Sequence, residues 1–298
     1  MKIYIEYQLT NAATGGGNQF IRNLKTSLAK QGMITADSSE ADIILYNGHQ
    51  NHEKVKQLKS MYPDKTFIHR MDGLQKLYNG PSDTRQDIAL RMTNLADGVI
   101  FQSKWARNNF VTFGFNPDKK HTIIYNAADP NIFVSTHHQY HEKIRILTTT
   151  WSVNMKKGFN TYTYLDRKLD FDRFEYYFIG HSPVKFKNII NLGPKTTVGI
   201  ADFMKSCDLF ISAVQQDACS NSIIEALTMG LRTFVFNSGG NTELVANPKY
   251  IFNNNEDLLQ KIEEHSLLSG WSGQPYPVLD DAVKYYVDFM EDVCGSKT

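Results

Sequence analysis

The chain has 298 residues, 41% of them hydrophobic, and a formal net charge of +1, which together predict two globular domains and no disordered segment. The nearly neutral charge and the lack of a basic block exclude nucleic acid as an expected partner, but they leave peripheral contact with an anionic membrane open. With three scattered cysteines, no apolar run of transmembrane length and no leader sequence before the first strand, we expect a cytoplasmic protein without disulfides, a zinc site or a membrane span.

Strands and helices alternate along the first half of the sequence. Strands are predicted over residues 2–7, 42–46, 66–69, 98–102 and 121–125. Helices are predicted over residues 19–30, 53–61, 84–96 and 104–113. This alternation is typical of a parallel sheet that is covered by helices on both faces.

The alternation restarts after residues 126–142, which have no clear period and are predicted to link two domains. Strands are predicted over residues 144–150, 175–179, 189–192, 209–214, 232–236 and 250–252. Helices are predicted over residues 157–169, 200–207, from 220 onwards, 256–265 and, after a Gly/Ser/Pro-rich break at 269–277, about 280–293. We therefore expect two doubly wound α/β domains, at residues 1–135 and 142–275.

The most informative stretch is Asp217-Ala-Cys-Ser-Asn-Ser-Ile-Ile-Glu225, which joins a predicted strand to a predicted helix. Ser220, Asn221 and Ser222 are good N-cap residues, and the free amides at a helix N-terminus bind phosphate readily. Glu225 has apolar neighbours, and an ionised carboxylate is costly there unless it finds partners. Two carboxylates thus flank an anion site, which predicts a sugar-nucleotide site. The alternative is a helix cap beside a core carboxylate that the backbone satisfies.

This stretch resembles the Glu-x7-Glu signature of the retaining glycosyltransferase family 4, with Asp217 in place of the first glutamate. The resemblance covers most of the chain and implies the GT-B fold, in which two Rossmann-like, doubly wound parallel-sheet domains face a central cleft. It also implies a short N-terminal domain that is joined by the last helix, residues 278–294. By resemblance, Asp217 lies at the donor sugar, Ser220–Ser222 hold the pyrophosphate and Glu225 binds the ribose hydroxyls.

A second segment, Trp151-Ser-Val-Asn-Met-Lys-Lys157-Gly158, follows the first strand of the second domain. A lysine that opens a helix is misplaced in the helix dipole unless a phosphate lies between them. The segment resembles the Arg-x4-Lys-Gly motif of the family, whose two cations hold the donor diphosphate. Lys157 matches the lysine, and Ser152 stands in place of the arginine. The alternative is a solvated Lys156–Lys157 pair. If the resemblance holds, Lys157→Ala should strongly reduce turnover, whereas Lys156→Ala should have little effect.

Two segments of the first domain carry the remaining assignments. In Thr14-Gly-Gly-Gly-Asn18, glycines let the backbone approach a ligand closely, and by resemblance Gly16 and Gly17 face the donor phosphate while Asn18 faces the acceptor. A tight turn alone is the alternative. Arg70 and Asp72 follow at the end of the third strand. They resemble the family's Arg-x-Asp-Gly segment on the acceptor side, and by this resemblance Asp72 is also a candidate catalytic residue. The alternative is a structural Arg70–Asp72 pair.

Four further positions carry weaker signals. Asn126 matches the hinge segment of the family and is expected to form a turn, and His181 follows a strand where a nucleotide base could stack. The segment 239–243 resembles a Gly-Gly-x-x-Glu loop. The Asp170-Phe-Asp172 segment lies in a polar link between a helix and a strand, so we interpret it as surface and not as a metal site.

The residues and the resemblance together predict a retaining, metal-independent glycosyltransferase without cofactors. Its donor is a nucleoside-diphosphate sugar, with UDP or GDP as the nucleotide, and its acceptor is a glycan, a lipid-linked sugar or a small molecule. Asp217, Lys157 and Asp72 are the candidate catalytic residues. The alternatives are a sugar-nucleotide epimerase or phosphorylase of the same fold and a non-catalytic sugar-nucleotide-binding protein. No signal for an oligomeric state is present.

Overall fold

The computed structural model describes residues 1–9, 16–134, 141–265 and 278–296. These residues form two compact units. Unit 1 contains Gly17–Asn126, the first strand and the last helix, and unit 2 consists mainly of Ala127–Val278. Thr14 and Gly15 of the glycine-rich segment, residues 135–140 of the predicted linker and the predicted break at 269–277 lie outside the described residues.

Unit 1 is built on a five-stranded parallel sheet. Its strands, hydrogen-bonded in sequence order, are β1 (Ile3–Glu6), β2 (Ile43–Asn47), β3 (Thr66–Arg70), β4 (Gly98–Phe101) and β5 (His121–Ile123). A parallel bridge from Ile34 to Ile3 lies on the outer side of β1. The chain therefore passes to one side of β1 before it crosses to β2 on the other, which makes the unit doubly wound.

The helices of unit 1 cover this sheet with their apolar faces. They are α1 (Gly16–Lys30), α2 (His52–Met61), α3 (Gln75–Asn79), α4 (Arg85–Met92) and α5 (Lys104–Thr112). The helix predicted over residues 84–96 is confirmed over Arg85–Met92, and its last turn, Thr93–Leu95, is a 3-10 helix. The short α3 was not predicted; it ends at Gly80, whose φ of +114° stops the helix. Helix α1 begins at Gly16, so Gly16, Gly17 and Asn18 form its first turn instead of a loop.

Unit 2 is built on a six-stranded parallel sheet. Its strands are β6 (Ile144–Thr150), β7 (Phe174–Gly180), β8 (Ile190–Asn191), β9 (Leu209–Ser212), β10 (Arg232–Phe236) and β11 (Ile251–Phe252). Their spatial order is β8-β7-β6-β9-β10-β11. The chain runs outward from β6 to β8 and then returns to β9 on the other side of β6. The order thus reverses between β6 and β9, which confirms the prediction of a doubly wound sheet and sets a switch point there.

The helices of unit 2 follow the predicted alternation with shifted ends. They are α6 (Phe159–Lys168), α7 (Thr197–Met204), α8 (Asn221–Thr228), α9 (Asn241–Leu244) and α10 (Asn255–His265). Lys157 does not open α6 as predicted, because Met155–Lys157 form a 3-10 turn and Gly158, at φ +97°, separates that turn from the helix. The short α9 was not predicted.

The last helix, α11 (Leu279–Gly295), belongs to unit 1. The ring of Tyr286 lies 5.9 Å from the ring of Phe20 on α1. Gly98 on β4 leaves room for the helix, since a Cβ atom there would lie 2.8 Å from Cγ2 of Val293. No helix in the described part of the chain is both long enough and apolar enough to cross a bilayer.

Candidate functional site

Two loops meet at the carboxyl ends of β6 and β9, at the switch point of unit 2. Residues 151–158 join β6 to α6, and residues 213–220 join β9 to α8. The backbone N–H of Gln215 donates to the carbonyl oxygen of Lys156 at 2.7 Å and ties the loops together. A Cβ atom on Gly158 would lie 2.4 Å from Cβ of Ala213, so the approach requires glycine. Open α/β sheets bind ligands at such switch points.

Lys157 and Asp217 form an ion pair across these loops. Nζ of Lys157 lies 3.1 Å from Oδ2 of Asp217, and the two side chains are 23% and 22% exposed. The other carboxylate oxygen, Oδ1, accepts a hydrogen bond from the backbone N–H of Cys219 at 3.2 Å. The structure therefore brings together a cation and a carboxylate that the sequence placed in two separate motifs.

The backbone of Asp217 is held by the glycine pair at the end of β10. The N–H of Gly240 donates to the carbonyl oxygen of Asp217 at 2.8 Å. A Cβ atom on Gly239, which has φ +65°, would lie 2.4 Å from that oxygen. The preceding residue, Gln216, is left-handed at φ +54°, and its N–H donates to Oγ of Ser238 at 3.0 Å. The resemblance to a Gly-Gly-x-x-Glu loop thus has a structural counterpart, a clamp on Asp217.

Asn241 supports the same edge of the sheet from the start of α9. Its side chain is fully buried and donates from Nδ2 to the carbonyl oxygens of Val214 at 2.8 Å and Phe236 at 3.1 Å. These bonds connect the segments that follow β9 and β10. Sequence reasoning missed this role, although an asparagine after two glycines at a strand end is a usable signal for such a turn.

Helix α8 begins beside Asp217 without a side-chain cap. Ser220 is the N-cap residue in an extended conformation, but its side chain does not bond to the helix amides; its Oγ lies 3.0 Å from Oγ of Ser222. The amide end of the helix, with Asn221 at its first position, is therefore not closed by a capping hydroxyl. Such an end carries a partial positive charge and suits a phosphate group.

Glu225 lies one turn further along α8. Burial raises the pKa of its carboxyl group to about 8. Among the residues that the structure describes, its carboxylate has neither a hydrogen-bond donor nor an ion-pair partner. The alternative of a core carboxylate satisfied by backbone is therefore not supported. A partly buried acid without a protein partner is well suited to accept hydrogen bonds from a ligand.

The remaining predicted donor residues lie at the ends of β6 and β7. Oγ of Ser152 accepts from the N–H of Asn154 at 3.2 Å and shapes the loop before Lys157. His181 is exposed, and its ring lies edge-on to the ring of Trp151, with the centroids 6.2 Å apart. Trp151 was not assigned from the sequence. The pair provides an aromatic surface beside the switch point.

The Asp170-Phe-Asp172 segment lies between α6 and β7 and both carboxylates are exposed. Oδ1 of Asp170 accepts a hydrogen bond from the backbone N–H of Asp172 at 3.0 Å, as in an ordinary turn. This agrees with the interpretation of the segment as surface.

In unit 1, Arg70 is the centre of a buried network at the end of β3. It is fully buried, and Nη1 donates to Oδ1 of Asn47 at 2.6 Å and to Oδ1 of Asp72 at 3.2 Å. Its Nη2 donates to Oδ1 of Asn126 at 2.7 Å, and Nδ2 of Asn47 donates to Oδ2 of Asp72 at 2.8 Å. Arg70 has no surface with which to contact an acceptor, so it positions Asp72 instead. Asp72 is 22% exposed and is the member of the network that can reach a ligand.

Gly17 is a neighbour of Asp72. It lies in the first turn of α1, where an added Cβ atom would be 3.9 Å from Oδ1 of Asp72, and Asn18 beside it is buried.

His69 is fully buried, and its Nε2 lies 2.8 Å from the carbonyl oxygen of Gly48. Burial lowers the pKa of His69 to about 3. It is therefore a neutral core histidine and not a catalytic base.

Solved structures share this architecture. HepE from Anabaena in complex with UDP matches with a TM-score of 0.70 and 14% sequence identity over 99% of both chains. The same protein in complex with UDP-glucose matches with a TM-score of 0.71 and 12% identity over 99% of this chain and 98% of that one. Sucrose-phosphate synthase from Thermosynechococcus elongatus gives a TM-score of 0.70 and 12% identity over 99% and 96% of the two chains. No family model and no curated protein matches the sequence.

These similarities concern the fold, because the identities are low. The chain has two parallel-sheet α/β units, and it matches HepE and sucrose-phosphate synthase over almost their whole length. These two observations define the GT-B fold. The fold class expected from the sequence is confirmed.

Proposed function

We propose that the protein is a retaining, metal-independent glycosyltransferase of the family 4 type that uses a UDP-sugar as its donor. The observation that carries this proposal is the Lys157–Asp217 pair, which lies at the β6–β9 switch point beside the uncapped start of α8. UDP is the preferred nucleotide because a structural neighbour, HepE, binds UDP and UDP-glucose.

In this proposal the donor lies along the loops of unit 2. The diphosphate rests on the amide end of α8 and on Nζ of Lys157, which supply positive charge without a metal ion. The ribose hydroxyls donate to Glu225, and this contact offsets the cost of its desolvated carboxylate. Asp217, held by its glycine clamp, positions the donor sugar. The base lies near the Trp151–His181 pair.

In the transfer step the protein stabilises the charge that develops on the leaving diphosphate and forms no covalent bond to the sugar. The bond between the anomeric carbon and the phosphate oxygen breaks, and its electron pair stays on the leaving diphosphate. Lys157 and the α8 amides stabilise that charge, and such preorganised groups act most strongly where charge develops. The oxygen of the acceptor hydroxyl bonds to the anomeric carbon on the face of the sugar from which the diphosphate leaves. The proton of that hydroxyl passes to the leaving phosphate oxygen. Asp72 of unit 1 orients the acceptor.

The test combines binding and product analysis. Calorimetry with UDP and GDP measures nucleotide affinity, and incubation of UDP-sugars with soluble sugar acceptors in excess EDTA measures transfer. We expect micromolar UDP binding, EDTA-resistant release of UDP and, by NMR, a product that keeps the anomeric configuration of the donor. Inverted product or a requirement for a divalent metal contradicts the mechanism. Binding without turnover indicates a non-catalytic protein, and conversion of the free donor indicates an epimerase.

A further inference from the structure

Unit 1 contains a groove of about 830 Å³ along the outer side of β1, which we call the β1 groove. On that side, β1 is paired only at Ile3, through the bridge to Ile34, among the residues that the structure describes. The chain leaves the sheet after Thr35, and Ile5 and its neighbours line the groove. A groove of this size is within the range of ordinary ligand sites.

A buried carboxylate forms the floor of the β1 groove. Glu6 is 3% exposed and accepts hydrogen bonds from Nζ of Lys54 at 2.6 Å, from Nδ2 of Asn51 at 2.7 Å and from the hydroxyl of Tyr4 at 3.0 Å. Lys54 also donates to the hydroxyl of Tyr4 at 3.0 Å. The floor is thus a preformed polar network and not an apolar surface.

The conformation of Asn51 directs an amide into this network. Asn51 has φ +49°, and it and Gln216 are the two non-glycine residues with positive φ in the described part of the chain. Asparagine tolerates this left-handed conformation better than most other residues. Oδ1 of Asn51 accepts no hydrogen bond from the residues that the structure describes, and Nζ of Lys54 has a third proton beyond its two bonds. The network therefore keeps both an acceptor and a donor for a ligand.

Tyr7 connects the β1 groove to Asp72. It lines the groove just beyond the carboxyl end of β1. Tyr7 follows β1 and Asp72 follows β3, and both strands pair in parallel with β2, so the two residues lie at the same edge of the sheet. Burial raises the pKa of Tyr7, and the Asp72 carboxylate raises it further. The pKa of His49 is lowered by burial, an effect that Asp72 opposes. A ligand could therefore extend from Asp72 across Tyr7 into the groove.

We propose that the β1 groove binds an acceptor made of several linked sugars, with the reacting sugar at Asp72 and the following sugars along Tyr7, Tyr4 and Glu6. This inference rests on the proposed transferase function and names its acceptor class. Tyrosine rings supply flat surfaces for sugar rings, and carboxylate, amide and ammonium groups match sugar hydroxyls.

The chemistry of the groove favours a glycan over a lipid chain. An acyl or prenyl chain in the groove would remove water from Lys54 and Asn51 without replacing their hydrogen bonds, which is unfavourable. Sugar hydroxyls replace those bonds directly. Lys25 adds an exposed cation at the rim, which further reduces the apolar character of the site.

Two variants of the full chain test the assignment. Asn51→Gly removes the amide but keeps the left-handed backbone without strain, because glycine adopts this conformation readily. Tyr4→Ala removes one ring. Asn94→Ala, in another groove of unit 1, is the control. A glycan array with single sugars and linear oligosaccharides measures binding. The oligosaccharides that bind are then used as acceptors in transfer assays with UDP-sugars. Calorimetry measures UDP affinity.

We expect wild-type protein to bind oligosaccharides and to prefer them to single sugars as acceptors. Each variant should weaken oligosaccharide binding and lower kcat/KM for oligosaccharides about tenfold, the effect of one lost hydrogen bond or contact. UDP affinity and rates with single sugars should stay close to wild type. The melting temperature should fall, because each variant removes a donor from the buried Glu6 carboxylate. The proposal is overturned if no oligosaccharide binds, if the variants bind them like wild type, or if only a lipid-linked sugar is used. Failure of the donor function would appear separately, as loss of UDP binding in wild-type protein.

Discussion

Nζ of Lys157 lies 3.1 Å from Oδ2 of Asp217, although 60 positions separate the two residues in the sequence. They meet because β6 and β9 are adjacent parallel strands, and residues just beyond the two carboxyl ends share one edge of the sheet. An ion pair with this much exposure contributes little to stability. Its main effect should therefore appear in donor binding and turnover.

Lys157→Ala should lower turnover of a UDP-sugar about 100- to 1000-fold, because a preorganised positive group at the leaving diphosphate is lost. Lys156→Ala is the matched control: Nζ of Lys156 donates to the neutral amide oxygen of Gln216, so its loss should cost no more than about tenfold. Steady-state kinetics measure both. Equal losses in the two variants contradict the assignment of Lys157 to the diphosphate.

Glu225→Gln should change how stability depends on pH. An unfolded glutamate ionises near pH 4.5, whereas burial raises the pKa of Glu225 to about 8 in the folded protein. Between these values the folded state holds a proton that the unfolded state has lost, so the stability contributed by this residue falls as pH rises. The melting temperature of Glu225→Gln relative to wild type should therefore increase from pH 4.5 to 8 and then level off.

The matched control for this pH series is Glu291→Gln, on the exposed side of α11 in the other unit. Both variants remove one carboxyl group, so a shared pH profile would show that burial of Glu225 is not the cause. Glu225→Gln should also weaken UDP binding at pH 8.5, because the ribose hydroxyls lose an ionised acceptor. Calorimetry at that pH measures this loss.

Gly239→Ala should destabilise unit 2 and lower turnover together. Its φ of +65° disfavours any side chain, and the new Cβ would lie 2.4 Å from the carbonyl oxygen of Asp217. Gly193→Ala is the control, since Gly193 has φ +67° but a Cβ atom added there would have no neighbour within 4 Å among the described residues. The control should show only the backbone cost of about 1–2 kcal/mol. Similar melting temperatures and rates for the two variants would argue against the clamp on Asp217.

Asp166→Ala should be strongly destabilising, although it lies outside the candidate site. The buried carboxylate of Asp166 accepts from the backbone N–H groups of Lys187, Asn188 and Ile189 at 2.9, 2.8 and 2.7 Å. Leaving these donors unpaired should cost about 3 kcal/mol, or roughly 6–12 °C in melting temperature. Asp172→Ala, at an exposed carboxylate of the same unit, should change the melting temperature little.

The sequence pattern predicted the α/β alternation because it depends on local periodicity. It predicted the doubly wound sheets because strands that alternate with helices form parallel sheets with helices on both faces. It also selected Lys157 and Asp217 as candidate site residues, because each lies in a short motif, and the structure brings these two side chains together. It did not show that Arg70 is buried, since the partners that satisfy its guanidinium, Asn47 and Asn126, lie 23 and 56 positions away. Contacts of that kind depend on strand order, which local periodicity does not specify.

The short elements were missed for a different reason. Helix α3 has five residues and α9 has four, too few for an apolar period to repeat. Both have tertiary contacts: the backbone N–H of Lys76 on α3 donates to Oε1 of Gln86, and Asn241 on α9 donates to Val214 and Phe236. Helical propensity alone does not stabilise segments of this length in water.

Helix α11 has a consequence for the order in which the nascent chain acquires its structure. The ribosome makes all of unit 2 before it makes Tyr286, Phe289 and Val293, which cover Phe20 and Gly98 of unit 1. The N-terminal sheet therefore keeps an apolar strip uncovered until the residues of α11 have been synthesised. A fragment released at Asn126 would keep that strip exposed, and we expect it to require chaperones or to aggregate.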